Sequence, residues 1–309
     1  MARFLLTRIG HAASVVCGVA VLVFSLIHLV PGDPVEVMLG EAAQPADLDA
    51  LRHTLGLDLP LHVQLWRYLQ GLAHFDFGLS LQSRRPVLQL LVERLPATLE
   101  LTFSALCLAI AVALPLGVVA ALRKRGNWDR GAMAFAVLGA SMPSFWLGPV
   151  LILVFAVWLG WLPVSGRDGW SALVLPAVTL GLGMAAILAR MIRSAVLDTL
   201  HEDYIRSARA KGLSMRSVVM RHALPNALLP VITVLGLQLG ALLAGTVITE
   251  TVFAWPGVGL LLVEAIQRRD YPVVQATVLF VSVSYVVVNT LTELIYARLD
   301  PRIRLGSQA

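Results

Sequence analysis

The sequence predicts an all-α polytopic membrane protein of six transmembrane helices, with both termini on the cytoplasmic side. Three observations lead there. Of 309 residues, 58% are hydrophobic and only 14% charged, with a mean hydropathy of +0.79; this balance suits a chain dissolved in lipid better than two soluble domains. Six runs, 9–30, 101–122, 131–162, 171–189, 226–249 and 273–292, are long and predominantly apolar, and each meets the roughly 20 helical residues needed to cross a hydrocarbon core of about 30 Å. The basic residues are also unevenly placed. With six spans, the N-terminus, 123–130, 190–225 and the C-terminus share one face and carry 16 of the 24 cations, while 31–97, 161–170 and 250–272 carry the other 8 over more residues. An excess of Lys and Arg marks the cytoplasmic side, and in a chain this apolar it argues against nucleic acid as the partner.

Taken in order, the first run follows Arg3 and Arg8 like a secretory signal. It is too long for an h-region and ends in VPGDP rather than a small-x-small site, so residues 1–30 form a retained first helix. Segment 31–97 is extracytoplasmic and helical. PADLDALRHTLGLD has Pro45 at its start and Gly56 just past its end, and LHVQLWRYLQGLAHF places Leu61, Leu65, Tyr68, Leu69 and Leu72 at helical spacing. Residues 98–309 form a five-helix transmembrane core that contains a cytoplasmic loop at 190–225 and an outer loop at 250–272. The third run contains Pro143 and Pro149, so it is one kinked helix or two short ones. Counting it as two spans would move 190–225 outside and spoil the charge asymmetry.

The stretch DYIRSARAKGLSMRSVVMRHALP, 203–225, carries five Arg or Lys residues. Each would cost about 2.5–3.5 kcal/mol at a helix centre, against about 0.3–0.6 kcal/mol recovered per aliphatic residue, so the stretch lies in water. Glu202 and Arg206 are an i, i+4 pair that supports a helix through Lys211. Gly212 closes that helix, Ser214 caps a second one through His222, and Leu224–Pro225 resets the backbone before the fifth span. The expected shape is helix, turn, helix. It suits a knob docked in a groove of a soluble partner, and equally a solvated positive-inside loop.

Other residues are weighed singly. Cys17 and Cys107 form no CxxC and read as small buried hydrophobes. The seven histidines show no ligand spacing, so no metal site is expected. Glu100, Glu250 and Glu293 lie at span edges, where a structural or gating role fits better than proton coupling. Met142, Pro143, Ser144, Trp146, Gln238 and Asn289 are polar, bulky or helix-breaking residues inside spans; they are candidates to line a path, with helix packing as the plainer reading. Trp255-Pro256-Gly257-Val258-Gly259 reads as a turn into a short helix at 260–266, either a gate above a pathway or a surface loop. No GxxxxGK[ST] sequence is present, so no P-loop cradles phosphate here. Matched unwound sites of a secondary transporter and a clustered catalytic set are likewise not evident.

The 203–225 stretch resembles the cytoplasmic loop of permease subunits of ATP-binding-cassette importers, whose pattern is Glu-Ala-Ala, three residues, Gly, nine residues, Ile-x-Leu-Pro. In register, this chain has Arg206, Ser207 and Ala208, then Gly212, then His222, Leu224 and Pro225. It keeps the second Ala, the Gly and the Leu-Pro, and departs at Arg206, Ser207 and His222. The forms DYIRSARAKGLS and RHALPNALLP resemble most the dipeptide, oligopeptide, glutathione and nickel branch. FSLIHLVPGDP, LGLDLPL, DFGLS, LPATLEL, SMPSFWLG, GWLP, ETVFAWPGVG, RDYPVVQ and LDPRIR extend the likeness over some 300 residues. In that branch's Gly-Asp-Phe-Gly pattern, Phe75 stands for the first Gly.

This resemblance implies a type I importer permease fold, no catalytic residue in this chain, and ATP and Mg bound by partner ATPase subunits. It implies a second homologous permease, two ATPase subunits and an extracytoplasmic binding protein as partners, in the inner membrane of a bacterium. Tyr204, Arg206, Ser207, Ala208, Arg209, Ala210, Lys211, Gly212, Leu213, Ser214, Leu224 and Pro225 would form the ATPase-coupling loop. Trp255, Pro256, Gly257 and Gly259 would form the outer gate. Short peptides are the first expected cargo, with glutathione, nickel and metal chelates as alternatives within the branch.

Overall fold

The structure, a computed structural model, describes residues 2–29, 35 and 44–299. The motif ends at 30–34 and 300–304, and the C-terminal basic cluster beyond 299, lie outside them. Among the described residues the chain is helical, without a strand. The helices are α1 (Ala2–Leu29), α2 (Pro45–Leu55), α3 (Leu61–Ala73), α4 (Val87–Leu122), α5 (Asn127–Ser141) and α6 (Ser144–Leu151), which continues as a π-helix over Ile152–Trp158. Next come α7 (Trp170–Leu200), α8 (Asp203–Ala210), the single turn α9 (Met215–Ser217), a π-helix over Val218–Ala223, α10 (Leu224–Val252), α11 (Val258–Gln267) and α12 (Tyr271–Leu299).

Among the described residues, four helices and one bent pair correspond to five of the six expected spans by length and hydropathy, and the first falls on a shorter apolar helix. The helices at Val87–Leu122, Trp170–Leu200, Met215–Gly240 and Tyr271–Leu294 are each long and apolar enough to cross a bilayer, and α1 is apolar over Gly10–Ser25. The remaining run is α5 with α6, bent by 105°. That exceeds the kink one proline imposes, because the helix stops outright. Met142 takes φ −86°, ψ 116°, as a residue before proline is driven to do, and α6 restarts beyond Pro143.

The chain divides into two compact units, Met1–Thr98 with Pro256–Val286, and Leu99–Trp255 with Val287–Ala309. In the first, Pro45 opens α2, and Gly56 closes it at φ 66° with Gly56 N–H on the His53 carbonyl and Leu57 N–H on that of Arg52. The apolar core joins Val87 and Leu91 of α4, Val258, Leu261 and Ala265 of α11, and Val273 and Ala276 of α12. A buried carboxylate fastens the α11–α12 corner: Asp270 accepts from Ser80 Oγ at 2.5 Å and from the backbone N–H groups of Leu81 and Gln82 at 3.0 and 3.4 Å. Tyr68 of α3 packs 5.8 Å from Phe24 of α1, and burial pushes its phenol up to about 12.

In the second unit α7 is the central helix, packed against α5, α6 and α10. Small residues let the backbones approach. A Cβ on Gly181 would lie 2.8 Å from the Ala105 carbonyl of α4; one on Gly117 of α4 would lie 2.8 Å from the Ala189 carbonyl; one on Gly139 of α5 would lie 2.8 Å from Ala186. Ala105, Ala109 and Ala113, one turn apart on α4, are fully buried. In lipid, helix association rests on such close packing because the bilayer is as apolar as the side chains.

Lipid also explains a departure from expectation. Cys17 and Cys107 are exposed rather than buried, since an outward face of a spanning helix meets hydrocarbon and needs no cover. Trp158, Trp161 and Trp170 are 71%, 69% and 81% exposed along the stretch that joins the π-helical end of α6 to the start of α7, the residue type that favours a membrane–water boundary.

Candidate functional site

The segment after α7 folds as a compact elbow. α8 turns its apolar side inward: Ile205 and Ala208 are buried against Val218, Ala223 and Leu200. Its other face presents Arg206, Ser207, Arg209 and Ala210 to solvent. The helix ends in a bonded reversal, with Gly212 N–H on the Arg209 carbonyl (2.9 Å) and Leu213 N–H on that of Ala208 (3.4 Å). Gly212 sits at φ 82°, a left-handed position that costs glycine nothing. Ser214 then caps α9 by accepting from Ser217 N–H at 3.4 Å. Lys211, Leu213 and Ser214 are exposed at the tip.

Two local expectations are corrected. Arg206 pairs with Asp203 at 3.3 Å rather than with Glu202, because Glu202 stands outside the helix as its extended N-cap. Both partners are largely exposed, so the pair contributes little. Nor do Leu224 and Pro225 break the chain. Leu224 is helical, at φ −61°, ψ −44°, and its N–H reaches the Val219 carbonyl five residues back. The widened π turn over 218–223 takes up the strain of Pro225, and the fifth span begins at Met215 rather than 226. Across this turn Tyr204 Oη donates to the His222 carbonyl (3.3 Å) and accepts from Asn226 Nδ2 (3.0 Å), which also donates to His222 (2.9 Å). Asn226 was not singled out in the sequence; its place directly after Pro225, at the head of an apolar run, was the available signal.

A second feature missed in the sequence lies nearby in chain order. Arg193 of α7 donates to both carboxylate oxygens of Asp129 on α5, at 2.5 and 2.8 Å, and Arg125 N–H adds a bond of 2.8 Å. Asp129 is buried.

Trp255 is fully buried rather than part of a surface loop; the Arg167 guanidinium lies 5.8 Å from its ring centre and bonds Glu100 at 2.6 and 2.9 Å. Glu250 is fully buried, and its carbonyl accepts from Trp255 N–H at 2.8 Å. In the other unit Gly257 is the extended N-cap of α11, and Thr98 Oγ1 accepts from Val258 N–H at 2.8 Å, supplying the cap a glycine lacks. Pro256 is half-buried and Gly259 buried. Of the mid-span residues, Met142, Pro143, Ser144 and Trp146 come together at the α5–α6 break, with Trp146 half exposed. Gln238 sits half-buried on α10, and Asn289 half-buried on α12 with its Oδ1 enclosed and without a hydrogen-bond partner. Among the described residues no cluster of His, Cys, Asp or Glu is arranged to hold a metal ion.

Residues 113–305 match the family described as binding-protein-dependent transport system inner membrane component, and residues 1–102 match its N-terminal region. The chain belongs to this family. The permease is 45% identical over 305 residues to the glutathione transport system permease protein GsiC of Salmonella paratyphi A, covering 98% of this chain and 99% of that protein. It is 45% identical over 287 residues to GsiC of Escherichia coli K12, covering 93% and 94%. Its fold resembles that of the MetNI methionine ABC transporter in an inward-facing conformation, with a TM-score of 0.58, 24% identity, and coverage of 69% of this chain and 97% of that one. An amino acid ABC transporter structure aligns at a TM-score of 0.52 with 18% identity, covering 68% and 94%. The permease is thus a bacterial inner-membrane subunit of an ABC importer with the type I fold, in the dipeptide and glutathione branch, and ATP is hydrolysed on separate subunits.

Proposed function

We propose that the permease pairs with a second, homologous permease to form a passage for short peptides, with glutathione, itself a tripeptide, as the leading cargo. Two ATPase subunits, which bind ATP and Mg, grip the cytoplasmic elbows, and an extracytoplasmic binding protein delivers the cargo. Both termini face the cytoplasm. The observation that carries the cargo is the 45% identity to glutathione-system permeases from end to end, rather than over one motif.

In this reading α8, the Gly212 turn and Ser214 are the knob that follows the ATPases as they close. Tyr204, Arg206 and Arg209 flank it, and Leu224–Pro225 passes its movement into the fifth span. Alternation between two packings of similar energy then opens the passage to one side or the other. Trp255 to Gly259 would gate its outer end, and Met142 to Trp146, Gln238 and Asn289 would line it.

The test is uptake by proteoliposomes that hold both permeases and the ATPases, with the binding protein outside. ATP-dependent accumulation of radiolabelled glutathione is expected; accumulation of dipeptides without glutathione would reverse the cargo assignment. Gly212→Trp places bulk and a strained left-handed residue at the tip, where a Cβ has open space around it. Uptake by that variant is expected to fall to background, and unimpaired uptake would count against the elbow's role.

A further inference from the structure

We propose that Tyr204 and Asn226 are positioning residues that lock α8 to the start of α10, so that the elbow and the fifth span move as one body. The proposal rests on the coupling role given to the elbow above and adds where the movement goes.

α8 is tied to α7 by a short turn, with His201 N–H on the Asp198 carbonyl and Glu202 N–H on that of Thr199. It follows α7 through the backbone itself. Its route to α10 is longer, through the Gly212 turn, the single turn α9 and the π stretch 218–223. A π turn is wider and less regularly bonded than an α turn, and Pro225 offers no N–H to the ladder. The contacts of Ile205 and Ala208 with Val218 and Ala223 are apolar, hold the faces together without direction, and permit sliding.

The polar triangle supplies what the route lacks. Tyr204 Oη, Asn226 Nδ2 and the His222 carbonyl are joined pairwise at 3.3, 3.0 and 2.9 Å. The phenol spends its one hydrogen on the carbonyl, and the amide spends one hydrogen on each partner. Removing either side chain group therefore breaks two of the three bonds. Tyr204 stands 18 and 22 positions before His222 and Asn226, so the triangle bridges α8 to the far end of the π turn and bypasses it.

The test uses the assembled complex, with Cys17 and Cys107 replaced by Ser, and spin labels at Asp203→Cys on α8 and Leu237→Cys on the exposed side of α10. With Tyr204 and Asn226 intact, the label-to-label distance distribution is expected to be single, narrow and unaltered by Mg-ATP. Tyr204→Phe and Asn226→Ala are each expected to broaden it and make it nucleotide-dependent, with the double variant no worse than Tyr204→Phe alone, which already removes both bonds that reach α8. Uptake of radiolabelled glutathione per ATP hydrolysed should fall about tenfold in each. A distribution as narrow in the variants as in the parent, a parent distribution that itself shifts with Mg-ATP, or an unchanged uptake ratio would overturn the lock. Failure of the coupling reading shows separately, as an ATPase that does not co-purify; the nucleotide-free distribution still decides the lock in that case.

Discussion

Asp129 and Arg193 concentrate at one point what single residues contribute. The carboxylate uses both oxygens on the guanidinium and a third bond on Arg125 N–H, with its side chain 7% and that of Arg193 23% exposed. Taking such a charge out of water is costly, and the pair holds only because each group satisfies the other. Asp129→Ala strands Arg193 among α5 and α7, and a loss of about 3 kcal/mol is expected, read as a lowered thermal midpoint of the purified complex in detergent. Replacing both residues together, Asp129→Leu with Arg193→Met, should recover most of that loss, since no stranded charge remains. An Asp129→Ala midpoint equal to wild type would show the pair to be idle. Nothing in the sequence marks this acid among the four bases of 123–130; that it faces inward is settled by a partner 64 positions away.

At the scale of elements, the helix ends divide into those a glycine announces and those it does not. Gly56 and Gly212 close α2 and α8 in the left-handed conformation and were readable as stops. The same bonded reversal ends α3 at Phe75, α10 at Ala254 and α11 at Arg269, at φ 57°, 47° and 54°, where no residue type predicts it. At Phe75 a left-handed side-chain residue costs about 1–2 kcal/mol, and the ring is 71% exposed, so little packing offsets it. Phe75→Gly is expected to raise stability by about 1 kcal/mol, seen as a higher thermal midpoint; a lower one would mean the ring is held by a partner. Proline was an equally uneven guide. Before Pro143 the chain left the helix as local sterics require, whereas before Pro225 a π turn absorbed the same clash and the helix ran on.

For the whole molecule the decisive property is which side each loop meets. The distribution of Arg and Lys predicts 190–225 on the cytoplasmic side, and the proposed use of the elbow as an ATPase grip requires it. In inside-out and right-side-out vesicles from a strain whose permease lacks Cys17 and Cys107, single cysteines at Arg209 and Ser214 should react with a membrane-impermeant maleimide only from the cytoplasmic face. A cysteine at Arg84, an exposed residue of the 31–97 segment, should react only from the opposite face. Labelling of Arg209→Cys from the outside would invert the topology and remove the elbow from any ATPase.

What the sequence by itself determined was the set of spans, the cationic elbow with its Gly212 turn and Ser214 cap, and the short helices at Pro45 and Leu61. Hydropathy, charge and capping act over a few neighbouring residues and are therefore written in the order of the chain. The tertiary structure alone decided the rest: the 105° break between α5 and α6, the π turn through Pro225, and the Asp129–Arg193, Tyr204–Asn226 and Ser80–Asp270 contacts. Their members stand 64, 22 and 190 positions apart. A buried polar group takes whatever partner the packed helices bring within about 3 Å, and that proximity is a property of the folded chain, not of its neighbours in sequence.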